Sequence, residues 1–254
     1  MTHPILYCGD PHGKFSHIVT AALELNASAV ILMGDLEPQQ RLNIELEGIH
    51  ERVWFIHGNH DTDNKANWVN IWDSELAERN IDSRVATLPD GTRIAGLGGV
   101  FRESVWYPTI PAEPKFRSRQ EHASFTPKQD RWRNSVPLRH WSTIYPDEFE
   151  ALSKLEADVL ITHEAPGYHN QGFKSLNALA RSLCVKIVVH GHHHDQLDSS
   201  DQWAAQGFKS YGVGLRGITA IDDQGNATVI VPGELDEVRD HRQRYTDVFK
   251  DVAA

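Results

Sequence analysis

Four histidines fall within five positions at His190, His192, His193 and His194, directly after the apolar pair Val188-Val189. In a chain with 15 histidines one such crowding carries little weight. The arrangement recurs, however: LYC runs into GDPHG, AVILM into GDLE, VWFI into HGNHD, VLIT into HEAP, and KIVV into HGHHH. Five apolar runs thus end in clusters of Asp, Asn and His. Brought together without a counter-charge, such groups would repel or cost desolvation energy, so a shared cation is the economical reading. Imidazole and carboxylate donors without thiolate suit Mn, Fe, Zn, Co or Ni better than a soft-metal or pure Ca site. In extended chain, Asp10-x-His12 and His192-x-His194 would each project both members the same way. The donors outnumber those of one tetrahedral zinc, which points to two metals about 3.5–4 Å apart.

The elements that must position these groups follow from the pattern of apolar residues. The runs at 4–8, 29–33, 52–56, 93–99, 158–162 and 185–189 are continuous rather than alternating, as expected for strands covered on both faces. Between them, Phe15, Ile18, Val19, Ala22 and Leu23 form a helical stripe over 15–25. Phe149, Leu152 and Leu155 form another over 147–156, with Pro146-Asp147 as its start signal. Strand–helix alternation predicts an α/β layered fold, whose strand ends gather along one edge. The C-terminal stretch SYGVGLRGITAIDDQGNATVIVP reads as a hairpin around DDQGN, and residues 234–252 as a terminal helix. Residues 102–145, rich in Pro, Arg and Trp without a clear period, read as a cap or loop inserted in a single 1–254 domain.

The bulk numbers set limits. A net charge of −10 disfavours bulk attraction to nucleic acid or anionic lipid. The N-terminus lacks the basic and apolar regions of a signal peptide, and no window is apolar enough for a membrane span. Cys8 and Cys184 lie in apolar runs and are expected to be buried thiols, which suits a reducing, cytoplasmic setting. Oligomeric state is not legible.

The ordered set Asp10-Pro11-His12, Gly34-Asp35, Gly58-Asn59-His60-Asp61, His163 and Gly191-His192-His193-His194 resembles the calcineurin-like metallophosphoesterase superfamily. That family's pattern is DxH, GD, GNH(D/E), a lone His, then GHxH. The resemblance implies a four-layer α/β/β/α sandwich. It implies that Asp10, His12 and His194 hold one metal and that Asn59, His163 and His192 hold the other. Asp35 would bridge the pair. The cofactors would be two divalent ions, with Mn favoured over Fe, Zn, Ni or Co. The implied chemistry is hydrolysis of phosphomono- or phosphodiesters by a metal-bridging hydroxide, with His60 protonating the departing oxygen and Asp61 orienting His60. His57, His190, His193, Glu164 and Asp195, beside the motifs, are read as supporting or surface groups.

The substrate is less constrained. Residues 102–142 carry eight Lys or Arg against four acids, with Trp106, Trp132 and Trp141 among them. Arg and aromatic side chains together can hold a phosphate and stack a ring. Asn59 and Arg102 are the expected substrate contacts. GDLEPQQ and IHGNHD lack the arginines with which the protein-phosphatase branch grips phosphate, so substitutes would have to come from the cap. The alternatives are a nuclease or nucleotide phosphodiesterase using the basic cap, or a catalytically silent scaffold of the same fold.

Overall fold

The computed structural model describes residues 3–109 and 113–238. Among these residues, ten strands form two five-stranded sheets. The first contains β1 (Ile5–Cys8), β2 (Ala29–Met33), β3 (Val53–Ile56), β9 (Ile218–Ile221) and β10 (Ala227–Val231), in the order β10-β9-β1-β2-β3. The second runs β4-β5-β6-β7-β8, comprising Arg84–Thr87, Arg93–Leu97, Val159–Thr162, Ile187–His190 and Lys209–Gly212. β1, β2 and β3 are parallel, as are β5 through β8. The expected C-terminal hairpin is present as antiparallel β9–β10.

Alternating side chains explain why the strand sequences are apolar throughout. Ile5, Tyr7, Ile31, Met33 and Ile56 pack inward with Ile94, Val159, Ile161 and Val189 of the other sheet. Leu6, Cys8, Val30, Leu32 and Phe55 point outward onto Ile18, Ala22, Leu42 and Ile71. Those residues lie on α1 (Ser16–Glu24), α2 (Leu42–Glu45) and α3 (Lys65–Trp72). On the far side, Ala95, Leu97, Leu160 and Val188 meet Leu152, Leu176, Leu179 and Ala180. The result is the four-layer helix–sheet–sheet–helix sandwich. Burying each of these large side chains contributes roughly 1.5–3 kcal/mol.

Two details of the sequence reading are corrected. Leu23 is exposed, and Ala21 takes its place on the buried stripe of α1. Cys184 is exposed and Cys8 buried, both free. Cys184 sits just past α6 (Lys174–Ser182) with φ +58°, in the turn that leads to β7 rather than inside the strand.

The described residues of the 102–145 segment include the helix α4 (Arg119–Phe125) and short 3-10 turns at Lys128–Asp130 and Leu138–Ser142. It returns the chain to α5 (Pro146–Leu152). Its basic residues are partly neutralised: Arg117 pairs with Glu150 at 2.7 Å, Arg119 with Glu148 at 3.1 Å and Arg133 with Asp73 at 2.6 Å. Trp132 and Trp141 pack edge-on against Trp68 of α3. The expected helix over 234–252 lies outside the described residues from 239 onward.

Candidate metal centre

The carboxyl ends of β1, β2, β3, β6 and β7 deliver Asp10, Asp35, Asn59, His163 and His192 to the seam between the sheets. Two triads of potential ligand atoms form there, each with its atoms within 4.8 Å of one another. One is His12, Asp35 and His194; the other is Asp35, His163 and His192. Asp35 belongs to both. Asn59 adds an amide oxygen, Oδ1, at 3.2 Å from Nε2 of His163. Asp10 lies outside both triads, fully buried, its carboxylate accepting the His192 backbone N–H at 2.9 and 3.2 Å.

The backbone that aims these groups is not extended. Asp10, His12, Asp35, Glu37, His192 and His194 all adopt left-handed conformations, with φ between +37° and +70°. The same-side projection read from the i, i+2 spacing therefore arises from paired left-handed residues rather than from strand alternation. Such conformations cost about 1–3 kcal/mol each at non-glycine positions and persist where the surroundings fix them. The fit is tight. A Cβ on Gly58 would stand 2.2 Å from Asp35 Oδ1, and one on Gly34 2.4 Å from His163 Nδ1.

Hydrogen bonds set which nitrogens can bind a cation. Nδ1 of His163 faces the main-chain oxygen of Met33 at 2.9 Å. A carbonyl only accepts, so Nδ1 carries the proton and Nε2 points to Asp35 Oδ2, 3.4 Å away. His12 is arranged likewise: Nδ1 contacts the Glu37 carboxylate, and Nε2 lies 3.2 Å from Nε2 of His194 and 4.0 Å from Asp35 Oδ2. Carboxylate- or carbonyl-held imidazoles of this kind are the usual support for metal-ligating histidines.

The electrostatics carry the same message. Burial drives the Asp10 carboxyl up to about 8, with Asp35 adding repulsion and His163 opposing it. Burial works against a charge on His163, yet Asp35 and Asp10 bring it up to about 10. A proton on that ring thus supplies positive charge where a cation would lie. His192 is pushed down to about 3, chiefly by burial and then by His163, and keeps a lone pair available. Carboxylate, amide and imidazole donors around shared Asp35 fit hard-to-borderline divalent ions.

His60 sits at the rim, with its backbone N–H donating to Asp35 Oδ1 at 2.8 Å. Its Nδ1 lies 2.6 Å from Asp63 Oδ2. The expected orienting partner, Asp61, is instead fully buried and accepts backbone N–H groups of Leu36, Glu37 and Gly58 at 2.7–2.9 Å. Asp61 therefore ties the β2 and β3 loops together and does not touch the His60 ring. Glu37, Asp63 and His60 form a third close group. Glu37 and Asp63 went unread in the sequence, though an acid two residues after Asp35 and another three after His60 were the available signals.

The neighbours of the motifs are mostly interior. His57, His190, His193, Glu164 and Asp195 are buried. Glu164 Oε1 accepts the Phe101 N–H at 3.2 Å, and Oε2 lies 3.9 Å from His192 Nε2. Arg102, next along the chain from Phe101, is half-buried.

Comparison with known proteins places this geometry. Residues 3–196 match the family model described as calcineurin-like phosphoesterase. A protein of Haemophilus influenzae, described as uncharacterized, is 41% identical over 222 residues, covering 87% of this chain and 95% of its own. The crystal structure of TT1561 of Thermus thermophilus superposes with a TM-score of 0.58 at 16% identity. That match covers 91% of this chain and 99% of the other, and supports the fold.

Proposed function

The chain belongs to the calcineurin-like phosphoesterases, and from that premise we propose that it hydrolyses phosphate esters with two divalent ions held at the sheet seam. The observation that carries the reading is the sharing of Asp35 by two ligand triads. Asp10, His12 and His194 would complete one ion's donors, and Asn59, His163 and His192 the other's. Mn is favoured, with Fe, Zn, Ni and Co as alternatives of the same donor preference. When bound, the ions supply positive charge for the phosphoryl oxygens and acidify a water to serve as nucleophile.

The chain's own residues do the rest. Met33 and Glu37 hold the His163 and His12 rings so that each Nε2 faces Asp35. Asn59 would also touch a substrate oxygen through its amide. His60, half-exposed with Nδ1 engaged by Asp63, has Nε2 left to give a proton to the departing oxygen. Asp61 fixes the loops that carry Asp35 and Asn59.

A small ester suits the 102–145 cap better than a nucleic acid. Three of its arginines are spent on ion pairs, and two of its tryptophans pack on Trp68 rather than offering faces to bases. A reducing compartment suits the exposed free thiol of Cys184. Among the described residues no helix is long and apolar enough to cross a membrane.

The test is turnover of a bis-aryl phosphate, an aryl monophosphate, a cyclic nucleotide and a short oligonucleotide, each with Mn, Ni, Zn or Fe. Metal-dependent release from at least one ester is expected. A folded, metal-loaded chain inert on all of them would instead indicate a scaffold.

A further inference from the structure

Arg102 differs from three other structured cap arginines. Arg117, Arg119 and Arg133 each meet a carboxylate, whereas Arg102 has no ion pair among the described residues. Its Nη2 donates to Ser142 Oγ at 3.3 Å, and its Nε is buried without a hydrogen-bond partner. A desolvated guanidinium left half-satisfied is costly. Arg139 stands near enough to repel it, while Asp63 and Glu164 are its opposing charges. Both of those carboxylates have other partners, Asp63 on His60 and Glu164 on the Phe101 N–H.

The position is bound to the metal centre from two sides. Ser142 Oγ meets Thr62 Oγ1 at 2.7 Å, and Thr62 reaches the carbonyl of Asn59 at 3.3 Å. On the other side, Phe101 contacts Glu164, which neighbours His192. The carbonyl of Arg102 accepts the N–H groups of Val105 and Trp106 at 2.8 Å, which fixes the turn that presents the side chain.

We infer that Arg102, with Arg139 beside it, grips the terminal oxygens of a phosphomonoester dianion, making monoesters the preferred substrates of this chain. The inference rests on the phosphoesterase reading. A monoester offers three non-bridging oxygens and up to two negative charges near neutral pH. A diester has a single charge, and its second ester group occupies the place of the third oxygen. Two neighbouring cations without contacting carboxylates match the dianion, and the planar fork of Arg102 can bind two of its oxygens at once.

The experiment compares wild type, Arg102→Gln and Arg102→Lys on an aryl monophosphate and a bis-aryl phosphate with Mn, with melting temperature as a folding control. Binding of inorganic phosphate to the Mn-loaded protein is measured by calorimetry. Wild type should favour the monoester. Arg102→Gln should lose roughly ten- to a hundredfold in monoester kcat/KM, the scale of one charged contact, and lose clearly less on the diester. Phosphate affinity should fall in step, and Arg102→Lys should lie between, having charge without the fork. An unchanged monoester-to-diester ratio, or unchanged phosphate affinity, overturns the inference while leaving the phosphoesterase reading standing. If wild type cleaves no ester, that reading falls, and phosphate affinity still decides whether Arg102 holds the anion.

Discussion

His163, at the end of one sheet, donates its Nδ1 proton to the main-chain carbonyl of Met33, at the end of a strand in the other, across 2.9 Å. This bond crosses the seam of the sandwich and fixes the tautomer of a ring whose Nε2 faces Asp35 and Asn59. Fold and candidate chemistry therefore share one contact: a shift of the sheets against each other would turn a candidate ligand.

Glu37 does for His12 what Met33 does for His163. Replacing Glu37 by Gln removes the carboxylate that holds the His12 ring in orientation. Metal affinity should fall roughly 10–100-fold, the usual effect of losing such a support. Titration of the metal-free protein with Mn, followed by calorimetry, reads this directly.

His60→Ala should retain its metals and lose roughly 10²–10⁴-fold in kcat, the range for a removed general acid. Asp63→Asn should show a smaller loss in kcat, because His60 remains but its orientation is loosened. Asp61→Asn should instead lower stability, since that carboxylate ties three backbone N–H groups in the interior. Steady-state kinetics and urea unfolding separate these outcomes. Equal kinetic effects of Asp61→Asn and Asp63→Asn with unchanged stability would show that the pairing is misassigned.

Gly58→Ala places a methyl group 2.2 Å from Asp35 Oδ1 and 2.4 Å from its backbone nitrogen. The backbone contact cannot yield as a flexible side chain could. A loss of about 1–3 kcal/mol, as for other overpacked sites, should accompany weakened metal binding. Urea denaturation and metal content of the same preparation check both.

His140 in the cap is depressed to about 4, by burial first and then by His122, Arg102, Arg139 and Arg119. Its ordinary value is 6.5. As pH falls through the window between these, the unfolded chain takes up the proton before the folded one. Stability from this group is whole above the ordinary value and is lost towards pH 4. His140→Asn should flatten the acid side of the stability–pH curve, measured by urea unfolding across that window. An unchanged slope would mean that His140 titrates normally.

The sandwich and the meeting of the motif residues were legible because the inner strands are covered on both faces, so apolar runs mark them plainly. β4 was missed because Arg84–Thr87 is a half-exposed edge strand without such a run. The left-handed backbone at Asp10, His12, Asp35, His192 and His194 was hidden, since none of these is glycine and the strain is sustained by tertiary contacts. The exchange of Asp61 for Asp63 beside His60 has a local cause. His60–Thr62 forms a 3-10 turn, which puts residues three apart on one side and sends the adjacent Asp61 inward.

Elemental analysis of the metal-replete protein, on wild type and Asp35→Ala in parallel, tests the central claim most directly. Wild type should carry about two divalent ions per chain, as a dinuclear hydrolase requires. Asp35→Ala, folded but without the shared carboxylate, should lose both together. A wild-type chain holding one ion or none, or a variant that keeps its full complement, would contradict the account.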